Sequence, residues 1–411
     1  MKFNYKSVII FLAIFATFSK QIRFLPGLSI FWNYSYYIMS FFLIFGLFTM
    51  LKRKKLNYLD LSVLCFNFFL LISAYISENI FLFLSIYMLP LSGYYLMRSH
   101  KIPVINIYKL LVFVSIIISI FTISEFFTEN ILSYKLFNYE EIDINRIQEG
   151  SIYGGGRYDK KIHPIMALIA PQYSLIERPM GPAMSPQTNG AMIAALLLFI
   201  MSHEKKIKTR FILIKIFLFI GLLSTLSGTG MLVFFIGLSL IKLKGRMKII
   251  TPLAIPFLVY VSLLSRGYKY NDFLFLFDYF KYVVSLSISN LKNFAASWGV
   301  IYGGNLSVTL DIDYLNFLYR FGIIGIMIFL FLLIFLFRYH NKLKRNPNYD
   351  SSLFVFLFAV LGANMHYDSI FRFPLSFIIF LIIGYISNEH ISSIKLLKNA
   401  RVKDVNYDQK I

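Results

Sequence analysis

Long apolar runs recur along almost the whole chain, and they constrain its fold more than any other feature. We identify twelve of them, at about residues 7–24, 28–51, 58–76, 79–97, 104–127, 188–203, 211–226, 229–241, 249–264, 313–337, 351–365 and 370–387. An α-helix needs about 20 residues to cross the hydrocarbon core of a bilayer, with wide tolerance. The runs therefore predict an all-α, polytopic membrane protein with about 12 transmembrane helices.

The composition favours the same class and excludes a soluble one. Hydrophobic residues make up 58% of the 411 residues and charged residues only 15%, which is far from the balance of a water-soluble domain. The net charge of +21 could suit a nucleic-acid-binding protein. However, Lys and Arg cluster in short segments between the apolar runs, as they do in cytoplasmic loops of membrane proteins. We therefore expect a lipid bilayer, and no nucleic acid, as a partner.

The positions of the positive charges also predict the orientation. Basic groups at 52–55, at Arg98 and Lys101, and at 205–210 all fall on one side if the spans alternate, and that side is the cytoplasm. Both termini are then cytoplasmic, with the first run as an uncleaved span. The predicted organisation is transmembrane helices 1–5 in 1–127, a large extracytoplasmic loop in 128–187, helices 6–9 in 188–264, a second extracytoplasmic loop in 265–310, helices 10–12 in 311–387, and a basic tail in 388–411.

The stretch 177–190, ERPMGPAMSPQTNG, closes the first large loop. Its three prolines fix φ and remove backbone donors, so we predict a shaped, non-helical lead into a membrane helix. Arg178 is a candidate phosphate ligand, because a guanidinium group offers a planar fork of hydrogen-bond donors. The alternative is an ordinary proline-rich helix start with an exposed arginine.

The segment 211–241 is too short for two full crossings and a turn, which need about 40 residues. The turn at 224–230, STLSGTG, is therefore predicted to lie below the outer surface. Unpaired backbone at that depth must be buried in protein or line a water-filled cavity. We favour the cavity, which makes Ser227 and Thr229 candidate substrate ligands. Two short, tilted helices in a thinned bilayer are the alternative.

A pair of ionisable residues marks the span that follows the second loop. Asp313 and Arg320 are seven residues apart, which places them about 10 Å apart on one face of a helix. A charge inside a span is expensive and usually faces a water-filled cavity. A structural ion pair is the alternative. Gly322 and Gly325 lie just beyond Arg320 and allow close approach of another helix.

Other ionisable residues are weaker candidates. His366 and Arg372 lie near the start of the last apolar run, and Arg157 follows three glycines in the first loop. The sequence contains no His or Cys cluster with the spacing of metal ligands. Consequently, we expect neither a metal ion nor another cofactor.

This layout resembles the Wzy-type O-antigen polymerase and O-antigen ligase family. Three segments carry the resemblance: R-P-x-G-x4-P-x-x-x-G at 178–190, LSGTG at 226–230, and D-Y-L-x-x-L-x-x-x-G-x-x-G at 313–325. Ligases typically have a His-Asn pair where this chain has Asp313 and Tyr314, which favours a polymerase. Where family members often have Ser-Arg in the second segment, this chain has Ser227 and Gly228.

The resemblance implies a glycosyltransferase of the bacterial cytoplasmic membrane. It would join oligosaccharide repeat units carried on undecaprenyl diphosphate, at the extracytoplasmic face, with a chain-length regulator as a further candidate partner. Such a reaction needs charge stabilisation on the leaving diphosphate and a base near the acceptor hydroxyl. The candidates for the positive charge are Arg178, Arg320, Arg372 and, less strongly, Arg157. The candidate base is Asp313, with Glu177 and His366 in reserve.

Three other functions remain open at this point. An O-antigen ligase would transfer finished chains to lipid A core. A polysaccharide flippase or other transporter would more usually show two related halves and short loops. A non-catalytic partner of a cell-wall synthase would tolerate replacement of Arg178, Asp313 and Arg320.

Overall fold

The computed structural model describes residues 29–53, 56–77, 80, 87–88, 90–99, 104–132, 179, 181–182, 186–203, 212–225, 227–242, 299–303, 313–344, 353–355, 357, 360 and 376–391. Every regular element in these ranges is an α-helix. The helices are α1 (Ser29–Arg53), α2 (Tyr58–Ile76), α3 (Leu91–Ser99), α4 (Val104–Asn130), α5 (Pro186–His203), α6 (Ile212–Ser224), α7 (Gly228–Lys242), α8 (Gly299–Tyr302), α9 (Asp313–Leu343) and α10 (Ser376–Ile391).

Three helical stretches in the described part of the chain are long and apolar enough to cross a membrane. They are Tyr58–Ile76, Leu111–Asn130 and Phe317–Leu343. The predictions of an all-α fold and of membrane-spanning helices are therefore confirmed. The apolar runs at 7–24 and 249–264, and most of both predicted loops, lie outside the described residues.

The chain divides into two compact units. Unit 1 combines Met1–Ala16, Asn33–Leu111 and Ser287–Ile411, and unit 2 combines Thr17–Trp32 and Val112–Leu286. Unit 1 is therefore built from both ends of the sequence. Helices α2, α3, α8, α9 and α10 belong wholly to unit 1, and α5, α6 and α7 belong wholly to unit 2.

Small residues bring α3 and α10 into close contact within unit 1. A Cβ atom on Gly93 would lie 2.5 Å from the Phe377 carbonyl oxygen, and one on Gly384 would lie 2.8 Å from the Tyr94 carbonyl oxygen. All nine residues of α3 are buried. The short helix α3 is thus surrounded by protein, and glycines allow the backbones of α3 and α10 to approach as they do between membrane helices.

A buried polar cluster joins the ends of α2, α3 and α10. The Arg98 guanidinium donates to both carboxylate oxygens of Asp60, at 2.7 and 2.8 Å, and to the amide oxygen of Asn388 at 2.8 Å. The Tyr94 hydroxyl also donates to Asp60, at 2.6 Å, and Asn57 and Asp60 form a capping box at the start of α2. The position of Arg98 just after an apolar run predicts a cation in a cytoplasmic loop. The structure instead buries it in an ion pair, since Asp60 supplies the opposite charge.

Helix α9 is interrupted at Gly322, where the sequence predicts an uninterrupted span. Gly322 has φ 60° and ψ −173°, a backbone conformation that is essentially restricted to glycine. At this kink the chain lies against the backbone of Ile301 and Gly303, and Gly325 lies against the Phe69 ring of α2. The predicted close approach at Gly322 and Gly325 is therefore confirmed, and α8 and α2 are the elements that approach.

In unit 2, α5 packs against both α6 and α7. Helix α5 begins at Pro186, so the prediction of a non-helical lead as far as residue 190 is wrong for its last five residues. Proline is favoured at the first helical position, where its fixed φ suits the helix and its missing N–H has no helical partner to lose. The break predicted at 224–230 is confirmed, because α6 ends at Ser224 and α7 begins at Gly228.

Candidate functional site

Two of the segments singled out in the sequence meet within unit 2. A Cβ atom on Gly230 would lie 2.7 Å from the Cα atom of Gly190, and one on Gly190 would lie 2.7 Å from the Cβ atom of Ser227. The backbones of α5 and α7 are thus in contact near their first turns. The end of the 178–190 segment and the 226–230 segment therefore form one structure, although they are far apart in the sequence.

Hydrogen bonds within the chain hold the break between α6 and α7. The Ser227 hydroxyl oxygen accepts from the Gly230 N–H at 3.1 Å, which makes Ser227 a helix cap for α7. The Thr225 hydroxyl donates to the Leu222 carbonyl oxygen at 2.7 Å and accepts from the Ser227 N–H at 3.2 Å. Both side chains are buried, so the break is buried in protein where we expected it to line a cavity. Thr229 lies in the first turn of α7.

A buried carboxylate, which the sequence analysis did not single out, lies at the same place. Glu125 of α4 is fully buried, and its Oε2 atom accepts from the Gly181 N–H at 2.7 Å. Gly181 and Pro182 form a turn in which Gly181 has φ 60°. A Cβ atom on Gly181 would lie 2.5 Å from the Asn189 side-chain nitrogen and 3.1 Å from the Thr122 hydroxyl oxygen. The turn is therefore held between α4 and α5.

Two helix N-termini contribute partial positive charge to this region. Helices α5 and α7 start side by side, and each helix N-terminus carries a partial positive charge of roughly half a unit. Backbone N–H groups at such positions bind phosphates and carboxylates. The Glu125 carboxyl group accepts a hydrogen bond from the Gly181 N–H at the same place, and this bond fixes the adjacent turn.

Arg320, a predicted site residue in unit 1, is buried against aromatic side chains. Its side chain is buried, and its guanidinium carbon lies 5.9 Å from the centroid of the Tyr87 ring. The Tyr87 ring packs edge to face against Phe321, at 4.9 Å between centroids. Asp313 is the first residue of α9 and lies in the same stretch of helix before the kink, so the two positions share one helix face.

The remaining predicted site residues lie outside the part of the chain that the structure describes. They are Arg157, Glu177, Arg178, His366 and Arg372. Pro179, which follows Arg178, is described and buried. No group of three or more His, Cys, Asp or Glu residues among the described side chains could hold a metal ion.

The fold defines the class of the molecule as an all-helical membrane protein. Comparisons of the chain with protein-family models, with curated proteins and with solved structures find no match.

Proposed function

We propose that this protein is a polymerase of O-antigen or a related surface polysaccharide, a glycosyltransferase of the Wzy type. It joins oligosaccharide repeat units carried on undecaprenyl diphosphate, at the extracytoplasmic face of the bacterial cytoplasmic membrane. In this proposal the chain crosses the membrane about 12 times, both termini are cytoplasmic, and 128–187 and 265–310 form the two large extracytoplasmic loops. A chain-length regulator is a further proposed partner.

The observation that carries the proposal is the meeting of the two segments in unit 2. Gly190 is the last residue of the R-P-x-G segment at 178–190. Ser227 and Gly230 are the second and the last residues of the LSGTG segment at 226–230. The backbone contact between them supports the view that these two segments act together.

The proposed reaction assigns separate tasks to the basic and acidic residues. The bond between the anomeric carbon of the growing glycan and its diphosphate oxygen breaks, and a bond to a hydroxyl of the incoming unit forms. Undecaprenyl diphosphate leaves with the bonding electron pair, and an arginine side chain stabilises its negative charge. The candidates for this task are Arg178, Arg320 and Arg372. Asp313 takes the proton of the acceptor hydroxyl as general base.

The first test is a gel of surface polysaccharide from a strain deleted for this gene, with and without complementation. We expect the ladder of the deletion strain to collapse to core plus one repeat unit. Loss of every unit from the core, with long chains accumulating on the lipid carrier, would identify a ligase. Accumulation of untranslocated lipid-linked units would identify a flippase, and an unchanged ladder would reject both polymerase and ligase.

Replacement of the proposed charged residues gives the second test. We expect Arg320→Ala and Asp313→Asn each to abolish long-chain polymer, because loss of one such electrostatic or acid–base contribution costs about 100-fold or more in rate. The variants are to be expressed in the deletion strain, with the amount in the membrane measured by blot and polymer length measured by gel.

Arg338→Ala is a matched control for Arg320→Ala. The Arg338 guanidinium carbon also lies 5.9 Å from an aromatic centroid, that of Phe335, on the same helix. However, Arg338 is exposed where Arg320 is buried. We expect Arg338→Ala to leave polymer length unchanged. Wild-type chain lengths in both Arg320→Ala and Asp313→Asn would remove these residues from the mechanism.

A further inference from the structure

Glu125 is a buried carboxylate to which the proposed reaction assigns no task. It lies in the last two turns of α4. A buried ionised carboxylate is costly unless hydrogen-bond donors or positive charges compensate it. One donor is the Gly181 N–H, 56 residues away in the sequence and 2.7 Å from Oε2. The carboxylate therefore connects α4 to the middle of the R-P-x-G segment.

The bonded turn is tightly confined. Asn189, in the first turn of α5, and Thr122, nearly one turn before Glu125 on α4, lie on either side of Gly181. Pro179 and Pro182 flank Gly181 and are both buried. Neither proline has a backbone N–H, so few local donors are available here, and the Gly181 N–H is the one that bonds Glu125.

We propose that Glu125 is a positioning residue for the R-P-x-G segment. By accepting from the Gly181 N–H, it fixes the main chain three residues after Arg178 and just before α5. The inference rests on the proposed function, which gives this segment the task of binding the lipid-linked diphosphate. Loss of the contact weakens substrate binding, because small displacements of a binding group are expensive.

Two substitutions separate this role from that of a general base. Glu125→Gln keeps an oxygen that accepts from the Gly181 N–H but cannot take a proton at neutral pH. Glu125→Ala removes the acceptor altogether. A positioning residue is therefore rescued by glutamine, whereas a general base is not.

The experiment uses the purified full-length protein and lipid-linked repeat units extracted from the deletion strain. We expect Glu125→Ala to lower kcat/KM by about 10- to 100-fold, chiefly through a higher KM. Glu125→Gln is expected to stay within about threefold of wild type, because its neutral acceptor keeps most of the hydrogen bond. Thr128→Ala serves as the control, since the Thr128 hydroxyl bonds only locally, to the Glu125 carbonyl oxygen of the same helix.

Hydrogen–deuterium exchange of the Gly181 amide provides a readout that does not depend on activity. We expect slow exchange in wild type and in Glu125→Gln, and fast exchange in Glu125→Ala. Wild-type KM and slow exchange in Glu125→Ala would overturn the inference. So would a Glu125→Gln variant as inactive as Glu125→Ala with its amide still protected. Failure of the wild-type protein to polymerise the extracted units would instead reject the proposed function, while the exchange rates would still decide whether Glu125 holds the turn.

Discussion

Replacing only one partner of the buried Asp60–Arg98 ion pair is expected to lower the free energy of unfolding by about 3–5 kcal/mol. Both side chains are almost completely inaccessible, at 0% and 1% of their surface. Either Asp60→Leu or Arg98→Met therefore leaves a buried charge without its partner. Asp60→Leu also removes the acceptor of the Tyr94 hydroxyl and half of the capping box of α2, so we expect it to be the more damaging variant.

The double variant, Asp60→Leu with Arg98→Met, is expected to recover most of this loss. With both charges gone, apolar side chains of similar size can fill the same space, and such replacements of buried ion pairs are often close to neutral. Thermal unfolding in detergent is to be measured for wild type, the two single variants and the double variant, which together form a double-mutant cycle. Lys52→Met is the control, because Lys52 is an exposed cation at the end of α1. Additive losses in the double variant would show that the pair is not coupled.

Substituting Gly322 by alanine is expected to destabilise unit 1 and to abolish polymer formation. The Gly322 backbone conformation costs an L-residue about 1–3 kcal/mol. In addition, the new Cβ atom would lie 2.7 Å from the Gly303 nitrogen and even closer to the Ile301 carbonyl group. These are backbone atoms and cannot move aside as a side chain can. The kink also directly follows Arg320 and Phe321, so a change in its geometry displaces both.

Gly325→Ala is a matched control for Gly322→Ala. The substitution is the same and lies on the same helix, but Gly325 has no positive φ. Its new Cβ atom would meet chiefly the Phe69 ring and the Phe321 side chain. We expect the apparent melting temperature to fall much further in Gly322→Ala than in Gly325→Ala. Equal losses in the two variants would mean that the kink conformation contributes little.

Hydrophobic patterning predicts the helices well, because lipid and protein interior both require long apolar stretches. The apolar run at 58–76 coincides with α2, and the run at 104–127 corresponds to α4 with three more residues at its end. The shortage of residues in 211–241 also predicts the break before Gly228 correctly. In each case the length and polarity of the segment are enough to predict where the helix begins or ends.

Hydrophobic patterning does not predict the contacts of polar residues that lie inside apolar runs. Asp60 and Glu125 each lie within an apolar run that predicts a membrane helix. An ionisable residue in such a run indicates a functional site or an ion pair, but it does not identify the partner. Their partners, Arg98 and the Gly181 N–H, follow from tertiary packing that hydropathy does not encode. The conformation of Gly322 depends likewise on the neighbouring backbone of α8, and so the kink cannot be read from the Gly-x-x-Gly spacing.

The discontinuous construction of unit 1 has a consequence for synthesis on the ribosome. Asp60 and Arg98 are made close together, but Asn388, which also bonds Arg98, follows 290 residues later. At about 5–20 residues per second, this interval lasts roughly 15–60 s. During that time α2 and α3 are already made without α10, while Val112–Leu286, the larger part of unit 2, is being synthesised. The early ion pair therefore stabilises a half-built unit until the end of the chain arrives to complete it.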